Sequence, residues 1–142
     1  EAETVLGYSL FLSNGTLGFQ MANGLGSDVC STSAISSCTN YISTSLVADG
    51  LWHHVAVTVT RSSPTGGTFY VDGCPVFTFN PTFRPGDLTN TSMLTFGRRS
   101  WLPSGFFAGA VDEFHLYNRA LTQAEVMSLG SSVGAGMCNG PF

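Results

Sequence analysis

Four groups of residues in this chain carry side chains able to do chemistry, and their spacing limits what that chemistry is. Trp52-His53-His54 sets two imidazoles beside an indole. Asp112-Glu113 is an adjacent carboxylate pair. Arg98-Arg99 with Trp101 places forked donors next to an aromatic face, and Cys30, Cys38, Cys74 and Cys138 can bond one another or a metal. Catalysis is poorly served by all of them. No serine or cysteine on a strained glycine elbow stands ready for the histidines to activate. Neighbouring residues on a regular strand point to opposite faces, so Asp112 and Glu113 cannot flank one glycosidic bond. The nine acids, Glu1, Glu3, Asp28, Asp49, Asp72, Asp87, Asp112, Glu113 and Glu125, contain no Glu-x-Asp alternation that would set several acids on one strand face. The chain is therefore expected not to be an enzyme.

Recognition and structure suit the same residues better. Aromatic faces bind the apolar side of sugar rings while arginine supplies paired donors, so Trp101, Arg99 and Arg98 form the candidate ligand-binding patch. A contact with another protein, or a tryptophan folded back on the sandwich edge, would use the same residue types. Trp52 is expected in the core, with His53 and His54 at the start of a strand and Asp72 as a turn residue. An even number of cysteines without a C-x-x-C pair favours disulfides and an oxidising, extracellular compartment. Cys30–Cys38, closing a short Ser/Thr loop, and Cys74–Cys138, tying a hairpin to the C-terminal tail, are the expected bridges. Zinc held by these cysteines with His53 or His54 fits no common ligand spacing.

The totals bound the rest. The chain has 142 residues, enough for one domain with a sizeable core, and a net charge of −4. The five cations cluster only at Arg98-Arg99, which argues against a nucleic-acid partner. Charged residues make up only 10%, so serine, threonine, asparagine and glycine do most of the solubilising. No apolar run reaches the roughly 18 residues of a membrane helix. No signal peptide is visible, so the chain reads as a mature protein or a fragment. Asn14-Gly-Thr and Asn90-Thr-Ser are glycosylation sequons, informative in a eukaryotic host, and Pro81 excludes Asn80.

The elements that must position these groups are strands. Leu51 to Thr60 alternates, with Leu51, His53, Val55, Val57 and Val59 on one face. Thr68 to Phe79 is a hairpin about Asp72-Gly73, a dipeptide suited to the positive φ angles of a type I′ turn. The result is a three-stranded meander, the seed of a β-sandwich. Upstream, Tyr8–Leu12 and Thr16–Met21 form a second hairpin about Asn14-Gly15. Residues 22–40 read as a Gly/Ser/Thr loop and Tyr41–Val47 as a short strand. Downstream, Asn80–Ser92 is a long loop, Met93–Gly97 a strand, and 98–105 a loop carrying the Arg/Trp patch. Phe106–Tyr117 reads as the last long strand, with a one-residue phase slip at Asp112-Glu113 that predicts a β-bulge. Thr122-x-x-Glu125 is a capping box opening a single helix that ends before Gly130.

Three of these pieces together resemble the laminin-G-like, concanavalin A-like jelly-roll domains of secreted proteins. They are Asp49-Gly-Leu-Trp-His-His-Val-Ala-Val-Thr58, Phe69-Tyr-Val-Asp-Gly73, and the run from Phe107 through Asp112-Glu-Phe-His-Leu-Tyr-Asn-Arg-Ala-Leu121. The helix after them and the Gly136-Met137-Cys138 ending fit as well. The resemblance implies an all-β, two-sheet antiparallel jelly-roll sandwich with one short C-terminal helix. It further implies a non-catalytic module, often holding one Ca²⁺ and often appended to larger extracellular proteins. Asp112 is the residue of this chain at the matching position for calcium.

The chain departs from that family in lacking the strands that usually precede the position of Tyr8. A sandwich short of strands leaves an exposed apolar face, and the mean hydropathy of +0.20 agrees. The expectation is one jelly-roll domain over residues 1–142, with 1–6 as a processing remnant or arm and 131–142 as a disulfide-tethered tail. Its role is extracellular recognition or adhesion, with a glycan or extracellular protein as partner. The alternative is a structural subunit of an extracellular assembly, in which a neighbouring chain or an N-terminal fragment completes the sheet by strand addition.

Overall fold

The structure, a computed structural model, describes residues 6–24, 38–98 and 106–130. It contains two three-stranded antiparallel sheets. The first has the order β1 (Leu6–Ser13), β2 (Thr16–Asn23), β3 (Cys38–Leu46), and the second β4 (Val55–Val59), β5 (Gly67–Val71), β6 (Cys74–Phe79). A 3-10 turn at Pro81–Phe83 and one helix, α1 (Gln123–Gly130), follow. Leu6, expected in the leading arm, already belongs to β1.

Both hairpin turns form as their dipeptides predict. Asn14 and Gly15 have φ of 51° and 85°, Asp72 and Gly73 of 52° and 81°, the paired left-handed conformation whose twist matches the flanking strands. The registers fix the faces, because residues directly opposite each other share one. Leu10 lies opposite Phe19, Leu12 opposite Leu17 and Tyr8 opposite Met21, while Phe19 also faces Tyr41 across β3. In the second sheet Val57 lies opposite Phe69, which lies opposite Phe77.

The core forms where β3 packs on β6. Leu17, Phe19, Met21 and Tyr41 from the first sheet meet Phe69 and Phe79 from the second. Tyr41 stacks on Phe79 with ring centroids 4.1 Å apart, and Phe69 tilts against Phe79 at 5.2 Å. Gly67 permits this packing, since a Cβ there would lie 2.2 Å from the Phe79 ring. Beyond β6, Arg84 is buried and donates from Nε to Thr39 Oγ1 at 2.8 Å, fastening the loop after β6 to β3. Arg61 donates to the carbonyls of Arg84 and Gly86 and holds the same loop from the second sheet.

The helix begins at its expected capping box. Glu125 N donates to Thr122 Oγ1 at 3.3 Å, and Thr122 N donates back to Glu125 Oε2 at 2.8 Å. Arg119 forks onto both Glu125 oxygens, which with the Thr122 bonds holds the carboxyl down to about 2. Val126 is fully buried, and the Gly130 backbone lies so close to Gly73 N and His54 Nδ1 that a Cβ would sit 3.0 Å from each. The helix therefore docks on the β5–β6 turn.

Three expectations fail. Met93–Gly97 is not a strand, and neither is Phe106–Tyr117, so the slip at Asp112-Glu113 is no bulge but a left-handed Glu113 with φ of 48°. The alternation of both segments is real, but a ladder needs a neighbouring strand. Among the described residues their backbone bonding amounts to Phe107 N donating to Gly97 O at 2.7 Å. Register shifts do occur, between Thr16 and Gly18 and between Phe69 and Tyr70. Trp52, expected in the core, is 63% exposed because it precedes β4 in an irregular stretch with no layer above it.

Candidate functional site

Two β-turn aspartates converge on one histidine. Asp49 opens the turn before β4, its Oδ1 accepting from Leu51 N at 2.9 Å. Extending the β4–β5 register by one step from Val55 opposite Val71 sets His54 opposite Asp72, and Asp72 N indeed donates to His54 O at 2.7 Å. The Asp72 carboxylate then accepts from His54 N at 3.0 Å and lies 2.8 Å from His53 Nδ1. His53 Nε2 lies 3.1 Å from Asp49 Oδ1. A neutral imidazole has one N–H, so it can donate to only one of these carboxylates, whereas the imidazolium donates to both. The hydrogen bond to Asp72, aided by Asp49, raises the His53 pKa despite partial burial. His54 moves the other way, lowered chiefly by burial, with its Nδ1 enclosed and unpaired against Gly130.

This clasp is built to hold, not to react. Both ring nitrogens of His53 are occupied by carboxylates, which leaves neither for a substrate proton. Sequence reading missed it because Asp72 comes from a turn 19 residues beyond His53. The signal was there in two Asp-Gly dipeptides, Asp49-Gly50 and Asp72-Gly73, on either side of the histidines.

The second feature is apolar. Leu6, Tyr8, Leu10 and Leu12 share one face of β1, and the register puts that face on the core side of the sheet. Yet they are between 38% and 56% exposed, while their partners Leu17 and Met21 are buried. Met93, Leu94 and Phe96, then Phe106, Val111, Phe114 and Leu116, are between 51% and 85% exposed, with Phe96 packed edge-on to Phe114 at 4.6 Å. Leu51 and Trp52 add a further exposed apolar pair beside the clasp.

The residues singled out from sequence are not gathered into one site. Arg99 and Trp101 lie outside the described residues. Arg98 is exposed, its carbonyl accepting from Thr95 Oγ1 at 3.1 Å, and its guanidinium has no ion pair among the described residues. Asp112 is exposed and spends one carboxylate oxygen on the Glu113 amide at 2.8 Å. Calcium wants six to eight oxygens, and among the described residues no group of three or more His, Cys, Asp or Glu side chains is placed to hold a metal ion. The described side chains around Asp112 thus do not by themselves make a calcium shell. Cys38 and Cys74 are disulfide-bonded. Their expected partners, Cys30 and Cys138, lie outside the described residues, as does the 131–142 tail. Among the described residues no helix is long and apolar enough to cross a membrane.

Comparison with known proteins bears on the fold. The laminin G family model described as the concanavalin A-like lectin/glucanases superfamily matches residues 3–127. No curated protein matches the chain. Among solved structures the chain is similar to residues 221–444 of an S-layer domain-containing protein from Clostridium thermocellum, with 23% identity and a TM-score of 0.49. That match covers 88% of this chain and 64% of the other.

Proposed function

The chain belongs to the concanavalin A-like lectin/glucanases superfamily, and from that premise we propose that it is a non-catalytic extracellular module for recognition or adhesion whose partner is a polypeptide. The observation that carries this is the open inner face of β1, where Tyr8 and Leu10 stay 56% and 46% exposed on the side of the sheet that forms the core. An apolar strip of that kind is what a second layer of sandwich covers. The chain's other exposed apolar segments, Met93–Gly97 and Phe106–Tyr117, have compositions suited to strand addition. The non-catalytic part draws support from His53, closed off on both nitrogens, and from Asp112, which caps its neighbour.

Binding of extended peptides with alternating apolar residues tests the proposal, with a glycan array run beside it. The expected result is saturable peptide binding lost on Leu10→Asp and kept on Trp101→Ala. Glycan binding lost on Trp101→Ala, with no peptide binding, overturns it. That outcome would favour a second reading, a lectin-like site at Arg98, Arg99 and Trp101, for which the exposed and unpaired Arg98 guanidinium speaks. Calcium at Asp112 is retained as a separate proposal, and a melting temperature lowered by EDTA would support it.

A further inference from the structure

We propose that His54 is an acid-operated latch on α1: a proton added to its enclosed ring nitrogen frees the helix end from the β5–β6 turn, while the His53 clasp keeps that turn in place.

The seat of the latch is small and closely fitted. Of the eight residues of α1 only Val126 and Gly130 are buried, so few contacts hold the helix down. Gly130 lies against Gly73 of the turn and against His54, a Cβ built on it falling 3.0 Å from Gly73 N and from His54 Nδ1. The backbone of His54 is fixed by Asp72 on both sides, His54 N donating to Asp72 Oδ1 at 3.0 Å and His54 O accepting from Asp72 N at 2.7 Å. The ring is thus carried at a set place beneath the helix end.

His54 Nδ1 is buried and has no hydrogen-bond partner among the described residues. A neutral imidazole tolerates this, since one of its nitrogens is a bare acceptor. The imidazolium carries N–H on both nitrogens, so Nδ1–H would be enclosed without an acceptor, which is strongly unfavourable for a charged group. The carbonyl end of a helix favours a nearby cation, yet among the described residues no carbonyl is placed to accept from Nδ1.

The surrounding charges press the same way. Asp72 is the acid that touches His54, and its other oxygen lies 2.8 Å from His53 Nδ1. His53, held also by Asp49, charges first as pH falls, because the hydrogen bond to Asp72 raises its pKa while burial lowers that of His54. The His53 imidazolium then offsets the Asp72 carboxylate before His54 takes a proton. His115, exposed on the segment leading to α1, adds repulsion when charged. The one acid of α1, Glu125, is spent on Arg119 and the helix cap. Once the helix end lifts, Nδ1 reaches water and the ring regains its ordinary basicity, so protons favour the released form. The ratio of released to docked helix should rise by up to about tenfold per pH unit as pH falls from 6.5 to the lowered value, and level off below it.

NMR on the whole chain tests this, following the His54 ring, the Val126 methyls and the Phe69 and Phe79 rings from about pH 8 to about pH 4. Val126 should leave its buried environment with the midpoint of the His54 titration, while Phe69 and Phe79 stay packed. In His54→Gln the Val126 methyls should not move across the range. Linkage requires the converse as well. In Val126→Ser, which loosens the helix from its seat, the His54 ring should titrate closer to 6.5. Val126 signals that ignore the His54 titration, or that become better protected in acid, overturn the inference. So does a His54 ring that titrates alike in Val126→Ser and the unmodified chain, and so does loss of Val126 and Phe69 packing in one step, which is global unfolding. If His54→Gln does not fold, the unmodified chain and Val126→Ser still decide.

Discussion

The region around Phe69 and Phe79 and the region around β1 and Phe106–Tyr117 are made of the same kinds of residue in the same alternation, and they end up in opposite states. Phe69 is fully buried between two sheets, while Phe114, with the same side chain, is 51% exposed. Sequence chemistry does not separate them. What does is how much of a second layer lies within packing distance: β6 covers the residues of β3, whereas Tyr8 and Leu10 of β1 stay half-exposed. Burial is thus a property of the pair of surfaces, and an amphipathic strand is only half of one.

That contrast can be broken or sharpened by substitution, and the closed side should respond most. Phe69→Ala leaves a cavity in the finished core and should cost about 3–5 kcal/mol in urea denaturation. A small loss would mean that the two sheets are not tightly packed there. Gly67→Ala drives a methyl into the Phe79 ring and should cost about 1–3 kcal/mol, less if Phe79 can shift. Thr122→Ala removes the helix cap and should cost about 1 kcal/mol. On the open side, Phe114→Ala should change the stability of the dilute chain by less than about 0.5 kcal/mol. A large effect there would show the segment already covered.

The clasp at the border of the two regions gives a prediction in pH. The His53 pKa is raised above its ordinary 6.5, so its stabilisation is full below that value and is lost as pH rises through the raised one. The His54 pKa is lowered, so its contribution is present above 6.5 and is lost as pH falls through the lowered one. Denaturation midpoints across pH should therefore flatten on the alkaline side in His53→Gln and on the acid side in His54→Gln. NMR titration of the two rings should find them displaced in opposite directions.

Much of this fold was legible in local chemistry. Asn14-Gly15 and Asp72-Gly73 specify their turns because few other residues tolerate the backbone angles involved, and Thr122-x-x-Glu125 specifies a helix start for similar reasons. Trp52 was misplaced because its face was assigned by extending the alternation of β4 upstream, whereas the ladder begins only at Val55. Met93–Gly97 and Phe106–Tyr117 were read as strands and are not, since periodicity reports what a segment can bury and not what is there to bury it. The clasp escaped because hydrogen bonds joining Asp49, His53 and Asp72 depend on register, which becomes readable only once the turn and both strands are fixed together.

One contact bears on all of this. At Gly73 and Gly130 the hairpin turn and the end of α1 meet main chain to main chain. A Cβ at either position would sit 3.0 Å from main-chain atoms of the other element, so a methyl there would act as a wedge that the helix and the turn must part by a few tenths of an ångström to admit. Two residues without side chains thereby decide how closely the end of α1 can approach the β5–β6 turn.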